Sequence, residues 1–169
     1  MKWCLLFICF YTHSIAQKNI FEISKKGTLL ELEACVKINE NSINEVDKNG
    51  HSPLILATYF GNSNVFHYLV DNVKNINQVS KNGSALMAAV IKENVEYVSL
   101  ILNKKPNINI QDSNGQTALI MAINTKNIEI IKLLLLSKPD LKIKDIYYKD
   151  ALDYALMSNK QEIIKLLNY

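Results

Sequence analysis

A short pattern that returns four times at nearly constant spacing constrains this chain more than any other feature. Leu54, Leu86, Leu119 and Leu152 stand 32, 33 and 33 residues apart. Three residues after each comes an alanine: Ala57, Ala89, Ala122 and Ala155. Eight residues further on, two apolar pairs follow: Val65-Phe66 and Tyr68-Leu69, Tyr97-Val98 and Leu100-Ile101, Ile130-Ile131 and Leu133-Leu134, Ile163-Ile164 and Leu166-Leu167. A polar turn precedes each leucine: Asp47-Lys48-Asn49-Gly50, Ser80-Lys81-Asn82-Gly83, Asp112-Ser113-Asn114-Gly115, and Asp145-Ile146-Tyr147-Tyr148. A period in this range is the mark of a stacked-repeat architecture.

Each part of the pattern has a physical task. Ser52, Ser84, Thr117 and Asp150 are side chains that accept a hydrogen bond from an unpaired amide at a helix start. Pro53 follows one of them, at the position where its missing N–H costs nothing. The alanine column lets two helix backbones approach closely. The apolar pairs recur at the spacing of one buried face of a second helix. The Asn-Gly steps supply the positive φ that a tight hairpin turn requires. Each unit therefore reads as a turn followed by two antiparallel helices. A single unit cannot cover its own apolar face, and stacking does so.

These residues resemble the ankyrin repeat, whose pattern runs Asp-x-x-Gly-x-Thr-Pro-Leu-His-x-Ala-Ala and then Val-x-x-Leu-Leu. Asp47, Gly50, Ser52, Pro53, Leu54, Ala57 and Gly61 match it best. A degenerate first repeat is expected upstream, with Gly27 in the place of Gly61 and Leu32 and Cys35 on its second-helix core. The resemblance implies an all-α solenoid of stacked helix-turn-helix units joined by short hairpin loops. Its expected extent is residues 17–169, with repeats at about 17–46, 47–79, 80–111, 112–144 and 145–169. Three departures stand out. The histidine usual after the leucine is Ile55, Met87, Ile120 or Asp153 here. The third hairpin is one residue short, between Gly83 and Ser84. Tyr148 stands where a turn glycine is expected, which puts that hairpin's geometry in question. The last unit is expected to act as the cap that closes the stack.

The first sixteen residues are of another kind. Lys2 is followed by an apolar run from Trp3 to Tyr11, and Ser14-Ile15-Ala16 is a small-x-small cleavage signal. The run is far shorter than the ~20 residues that span a bilayer. This is the layout of a secretory signal peptide at 1–16, so the mature chain is expected to be exported, periplasmic or secreted. Ile8 before Cys9 argues against a lipid-modified cysteine. The alternative is a membrane-tethered structural protein whose apolar segment stays uncleaved. After cleavage Cys35 is the sole cysteine, so no disulfide framework exists to read; a buried apolar role is expected for it. The Lys-, Asn- and Ile-rich composition points to an AT-rich genome and a bacterial-type exported protein.

All 19 basic residues are lysine, and no arginine occurs. Arginine is the usual residue for bidentate recognition of phosphate and guanine. The lysines are also interleaved with acids, so nucleic acid is not an expected partner. The two histidines that remain, His51 and His67, lack cysteine or carboxylate neighbours at metal-ligand spacing. No phosphate loop, nucleophile elbow or His-Glu-x-x-His occurs. Asp47, Asp112 and Asp145 lie at repeat spacing and read as hairpin starters. The expectation is no enzyme, cofactor, metal site or small-molecule substrate.

What remains is a surface. The resemblance implies that a protein partner is bound by hairpin tips and by the inner face of the first helices. Carried over by position, the candidates in the second unit are Lys48, Asn49, His51, Tyr59 and Phe60, and in the third Lys81, Asn82, Ile91 and Lys92. The fourth offers Ser113, Asn114, Gln116, Asn124 and Thr125, and the last Ile146, Tyr147, Lys149, Met157 and Ser158. Tyr59, Phe60 and Ile91 are expected to meet on the concave face, where aromatic side chains favour binding hot spots. The partner's identity is not readable, and a monomer is expected.

Overall fold

The computed structural model describes residues 19–167. The proposed signal segment therefore lies outside the described residues, as do positions 17, 18, 168 and 169. Among the described residues ten α-helices run in pairs: α1 (Ile20–Lys26) with α2 (Leu29–Ile38), α3 (Pro53–Phe60) with α4 (Ser63–Asn72), α5 (Ala85–Ile91) with α6 (Val95–Asn103), α7 (Ala118–Thr125) with α8 (Ile128–Leu136), and α9 (Ala151–Met157) with α10 (Gln161–Leu167). A 3-10 turn at Ser42–Asn44 follows α2. The only sheet among the described residues is the two-residue pair β1 (Val79–Ser80) and β2 (Gly83–Ser84). The fold is an all-α solenoid: α1, α3, α5, α7 and α9 stack in one row, with their partner helices behind.

The helix starts are set by single side chains. Ser52, Ser84 and Thr117 each accept from the amide three residues on, at 3.3, 3.4 and 3.3 Å. Asp150 does the same to Asp153, whose own carboxylate returns to the Asp150 amide, a reciprocal pair that satisfies two otherwise orphaned donors. Asn94 and Asn127 cap α6 and α8. Asn62, at the matching place before α4, reaches instead into the preceding unit, donating to the carbonyls of Ile23 and Gly27.

Packing follows the repeat register. Ala57, Ala89, Ala122 and Ala155 are fully buried, as a position pinched between two backbones requires. Within the apolar pairs Val65, Phe66, Leu69, Val98, Ile101, Ile130, Ile131 and Leu134 are all buried, and one core runs from Ile20 to Leu167. Phe66 stacks on Tyr97 with ring centroids 3.7 Å apart, bolting α4 to α6. Side-chain amides join the loops of successive units. Asn44 accepts from the Lys74 amide, Asn77 from Asn107 and Asn109 from Asp140, at 2.7, 2.7 and 2.9 Å. The hairpins are tied by backbone bonds from Ser113 to Lys81 and from Ile146 to Asn114.

The departures noted in the sequence have structural outcomes. The third hairpin is tighter: Val79 pairs with Ser84 and Ser80 with Gly83 around a two-residue turn. The second, fourth and fifth hairpins are instead closed by bonds from Asp47 to His51, Asp112 to Gln116 and Asp145 to Lys149. Tyr148 keeps the standard turn by adopting the left-handed conformation itself, at φ 61°, beside Gly50 at 80° and Gly115 at 72°. Gly27 does hold the place of Gly61, each ending the first helix of its unit, but in a different conformation. Gly61 is left-handed at φ 71°, whereas Gly27 is extended at φ −81°. Gly27 is required for room, since a Cβ there would lie 2.6 Å from the Ile23 Cα. Cys35 is half-buried rather than fully buried, with its thiol 3.8 Å from the Ser42 hydroxyl.

The expected closing cap also needs correction. Leu119 and Ile123 are 1% and 0% exposed, yet their counterparts one period later, Leu152 and Leu156, are 38% and 52% exposed. A cap places polar residues on its outer face. This unit keeps leucines there, and among the described residues no further helix covers them.

Candidate functional site

The first-helix row and the hairpins enclose a concave groove of about 700 Å³. Its floor is Leu56, Ala88 and Met121, one residue from each of three successive inner helices at the repeat spacing. These side chains are nearly buried. One wall is formed by hairpin residues: Asp47, Asn49, His51, Asn82, Asp112, Asn114 and Gln116. The other is formed by the ends of the inner helices: Lys25, Tyr59, Phe60, Ile91, Asn124 and Thr125.

On the hairpin wall the carboxylates are already occupied. Asp47 Oδ1 accepts from the amides of Asn49 and His51, and Oδ2 lies 3.1 Å from His51 Nδ1. Burial opposes ionisation of Asp47, but the His51 amide and ring and the Asn49 amide outweigh it and hold the carboxyl below its usual range. Asp112 repeats the arrangement with the amides of Asn114 and Gln116. His51 is thus not a free surface group. With Nδ1 donating to Asp47, its Nε2 faces the Asn82 side-chain amide at 3.5 Å, bridging two units. These acids shape hairpins. What the wall offers a ligand is the exposed side-chain amides of Asn49, Asn82 and Asn114, the last two also in long contacts with His51 and Asp112 at 3.5 and 3.4 Å, while Gln116 bonds Tyr154.

The helix-end wall is apolar and exposed. Helix α3 ends at Phe60 because Gly61 turns left-handed and returns its amide to Ala57 and Thr58. That exit leaves Tyr59 and Phe60 pointing off the stack, edge to face with centroids 5.4 Å apart. They are 46% and 55% exposed, and Ile91, one period on from Tyr59, is 45% exposed. Two lysines frame the pair. Lys92 Nζ lies 4.9 Å from the Tyr59 ring centroid and Lys25 Nζ 6.0 Å from that of Phe60. Lys25 is also paired with Glu22 at 2.8 Å.

Of the residues singled out in the sequence, the groove brings together Asn49, His51, Tyr59, Phe60, Asn82, Ile91, Asn114, Gln116, Asn124 and Thr125. Lys48, Lys81, Ser113 and Tyr147 stand on exposed hairpin tips and do not line it. Lys92 joins from the rim through Tyr59. Sequence reasoning missed the floor and Lys25. The floor had a legible signal in the Leu56, Ala88 and Met121 column, whereas Lys25 lies in the degenerate first unit. His67 lies elsewhere, 3.4 Å from Glu96. Among the described residues no group of three potential ligands could hold a metal ion, and no helix is long and apolar enough to cross a membrane.

The family described as ankyrin repeats (3 copies) matches residues 20–112 and, in a second placement, 86–169. No curated protein gives a match. Ankyrin repeats generally mediate protein–protein interaction and are typically non-enzymatic. Repeat register, capped helix pairs and profile match agree, and the chain belongs to the ankyrin-repeat family.

Proposed function

We propose that this protein is an exported, non-enzymatic scaffold that holds a protein partner in its concave groove. The observation that carries the reading is the exposure of Tyr59, Phe60 and Ile91 beside a floor that is otherwise covered. Aromatic side chains held rigidly at the edge of a groove supply contact area at small entropic cost, the profile of a binding hot spot. Their exposure has no role in the stack, since the core closes beneath them. The amide row opposite can bond a partner's backbone. One chain supplies both walls, so a monomer suffices. Export is supported by the sequence layout around Ser14-Ile15-Ala16.

The test is affinity capture from the extracellular or periplasmic fraction of the native source, followed by titration of the captured protein. Changing Tyr59 and Phe60 together to Ser should weaken its binding by ~2 kcal/mol or more, with helicity and unfolding midpoint nearly unchanged. If affinity falls only in step with stability, the pair belongs to the core and the reading fails. N-terminal sequencing of the captured scaffold should begin at Gln17. An intact Met1 on a cytosolic protein would remove export from the proposal.

A further inference from the structure

The aromatic corner of the groove has a charge character that the rest of it lacks. Asp47 and Asp112, on the opposite wall, accept from amides of their own hairpins, which orders the carboxylates without cancelling their charge. The ammonium groups beside Tyr59 and Phe60 are not equivalent. Lys25 already has Glu22 as a partner at 2.8 Å. Lys92 is exposed, stands over the Tyr59 ring, and has no carboxylate within salt-bridge distance among the described residues. A cation over an aromatic face is held in place and partly desolvated, but its charge is not neutralised. The corner thus places an unpaired positive charge directly beside an open apolar surface formed by Tyr59, Phe60 and Ile91.

We infer that the groove takes an extended segment of a protein partner that presents an aliphatic or aromatic side chain next to an Asp or Glu. The apolar side chain seats against Tyr59, Phe60 and Ile91. The neighbouring carboxylate pairs with Lys92. The amides of Asn49, Asn82 and Asn114 bond the segment's backbone. This inference rests on the groove being the binding site, and it adds the chemistry of what binds there. At this corner a cationic side chain would meet the unpaired Lys92, whereas Lys25 is offset by Glu22.

The experiment is selection of a displayed random peptide library on the purified protein, with the enriched peptides then titrated against variants. Peptides that compete for the groove are those whose binding falls with the Tyr59→Ser, Phe60→Ser double change. Among these, Asp or Glu should be enriched within two positions of a Leu, Ile, Phe or Trp. Lys92→Glu should weaken such a peptide by ~10-fold or more, and replacing the peptide's acid by Lys should recover much of the loss in that variant. Lys92→Arg should bind nearly as the parent does. Affinity should also fall as the ionic strength rises from ~0.01 to ~0.15 M, where the screening length shrinks from ~30 to ~8 Å. Groove-dependent peptides that are neutral or basic, or a Lys92→Glu effect under twofold, would overturn the inference while leaving the groove as a binding site. Peptides indifferent to Tyr59 and Phe60, or none at all, would overturn both. The thermal midpoint of each variant shows whether a loss reflects unfolding.

Discussion

Leu119 and Leu152 occupy the same register in successive units, so the same substitution at each isolates the effect of having a neighbour. Leu→Ala removes about three carbons, worth roughly 0.8 kcal/mol each when fully buried, or about 2.4 kcal/mol of transfer free energy. At Leu119, which is 1% exposed, a cavity is left among residues that relax only partly. The total loss is therefore expected in the upper part of the ~2–5 kcal/mol range. Leu152 is already 38% exposed and the space opens to solvent, so no closed cavity forms. The transfer contribution shrinks in proportion, to about 1.5 kcal/mol or less. Urea titration followed by far-UV circular dichroism would measure both, with unchanged slopes as the condition for comparing midpoints. The difference should be at least ~1.5 kcal/mol. A Leu152→Ala loss equal to that of Leu119→Ala would refute the reasoning, because it would require something to cover the outer face of α9. A Leu119→Ala loss below about half a kcal/mol would contradict the repeat register itself.

Tyr148 is left-handed and almost fully exposed, so Tyr148→Gly should relieve backbone strain without losing packing and stabilise the protein by ~0.5–1 kcal/mol; a lower urea midpoint would show that the ring contributes contacts. Asp145 is buried, which opposes its ionisation, but the Tyr154 hydroxyl and the amides of Lys149 and Tyr147 hold its carboxyl below the ordinary value of 3.8. A depressed folded value means that the carboxylate stabilises the fold above the unfolded value, and that this stability is lost as pH falls through the folded one. Tyr154→Phe should therefore lower the urea midpoint at neutral pH and shrink the stability lost in acid, and parallel pH profiles for the two proteins would count against the bond.

The sequence by itself determined the architecture, because the repeat pattern is made of local physics. Ser52, Ser84, Thr117 and Asp150 cap helices through bonds that span three residues. Asp47, Asp112 and Asp145 organise hairpins through bonds that span two and four. Such interactions are fixed by chain neighbours, so they can be read without knowing the fold. The alanine column and the apolar pairs are periodic for the same reason. The groove was partly legible, since Tyr59 and Ile91 share a register and Phe60 adjoins them. Its composition was not. Whether Asp112 is available to a ligand depends on which amides its own hairpin turns toward it. That Lys25 meets Phe60 across a degenerate unit depends on how α1 stacks on α3. Gly27 shows the same limit in the backbone: its place in the sequence matched it to Gly61, yet it is extended where Gly61 is left-handed, and it is close approach to Ile23 that requires a glycine there. Leu152 and Leu119 are identical letters in identical registers. Among the described residues only the presence or absence of a stacked neighbour makes one of them core and the other surface, because burial is a property of what packs against a side chain.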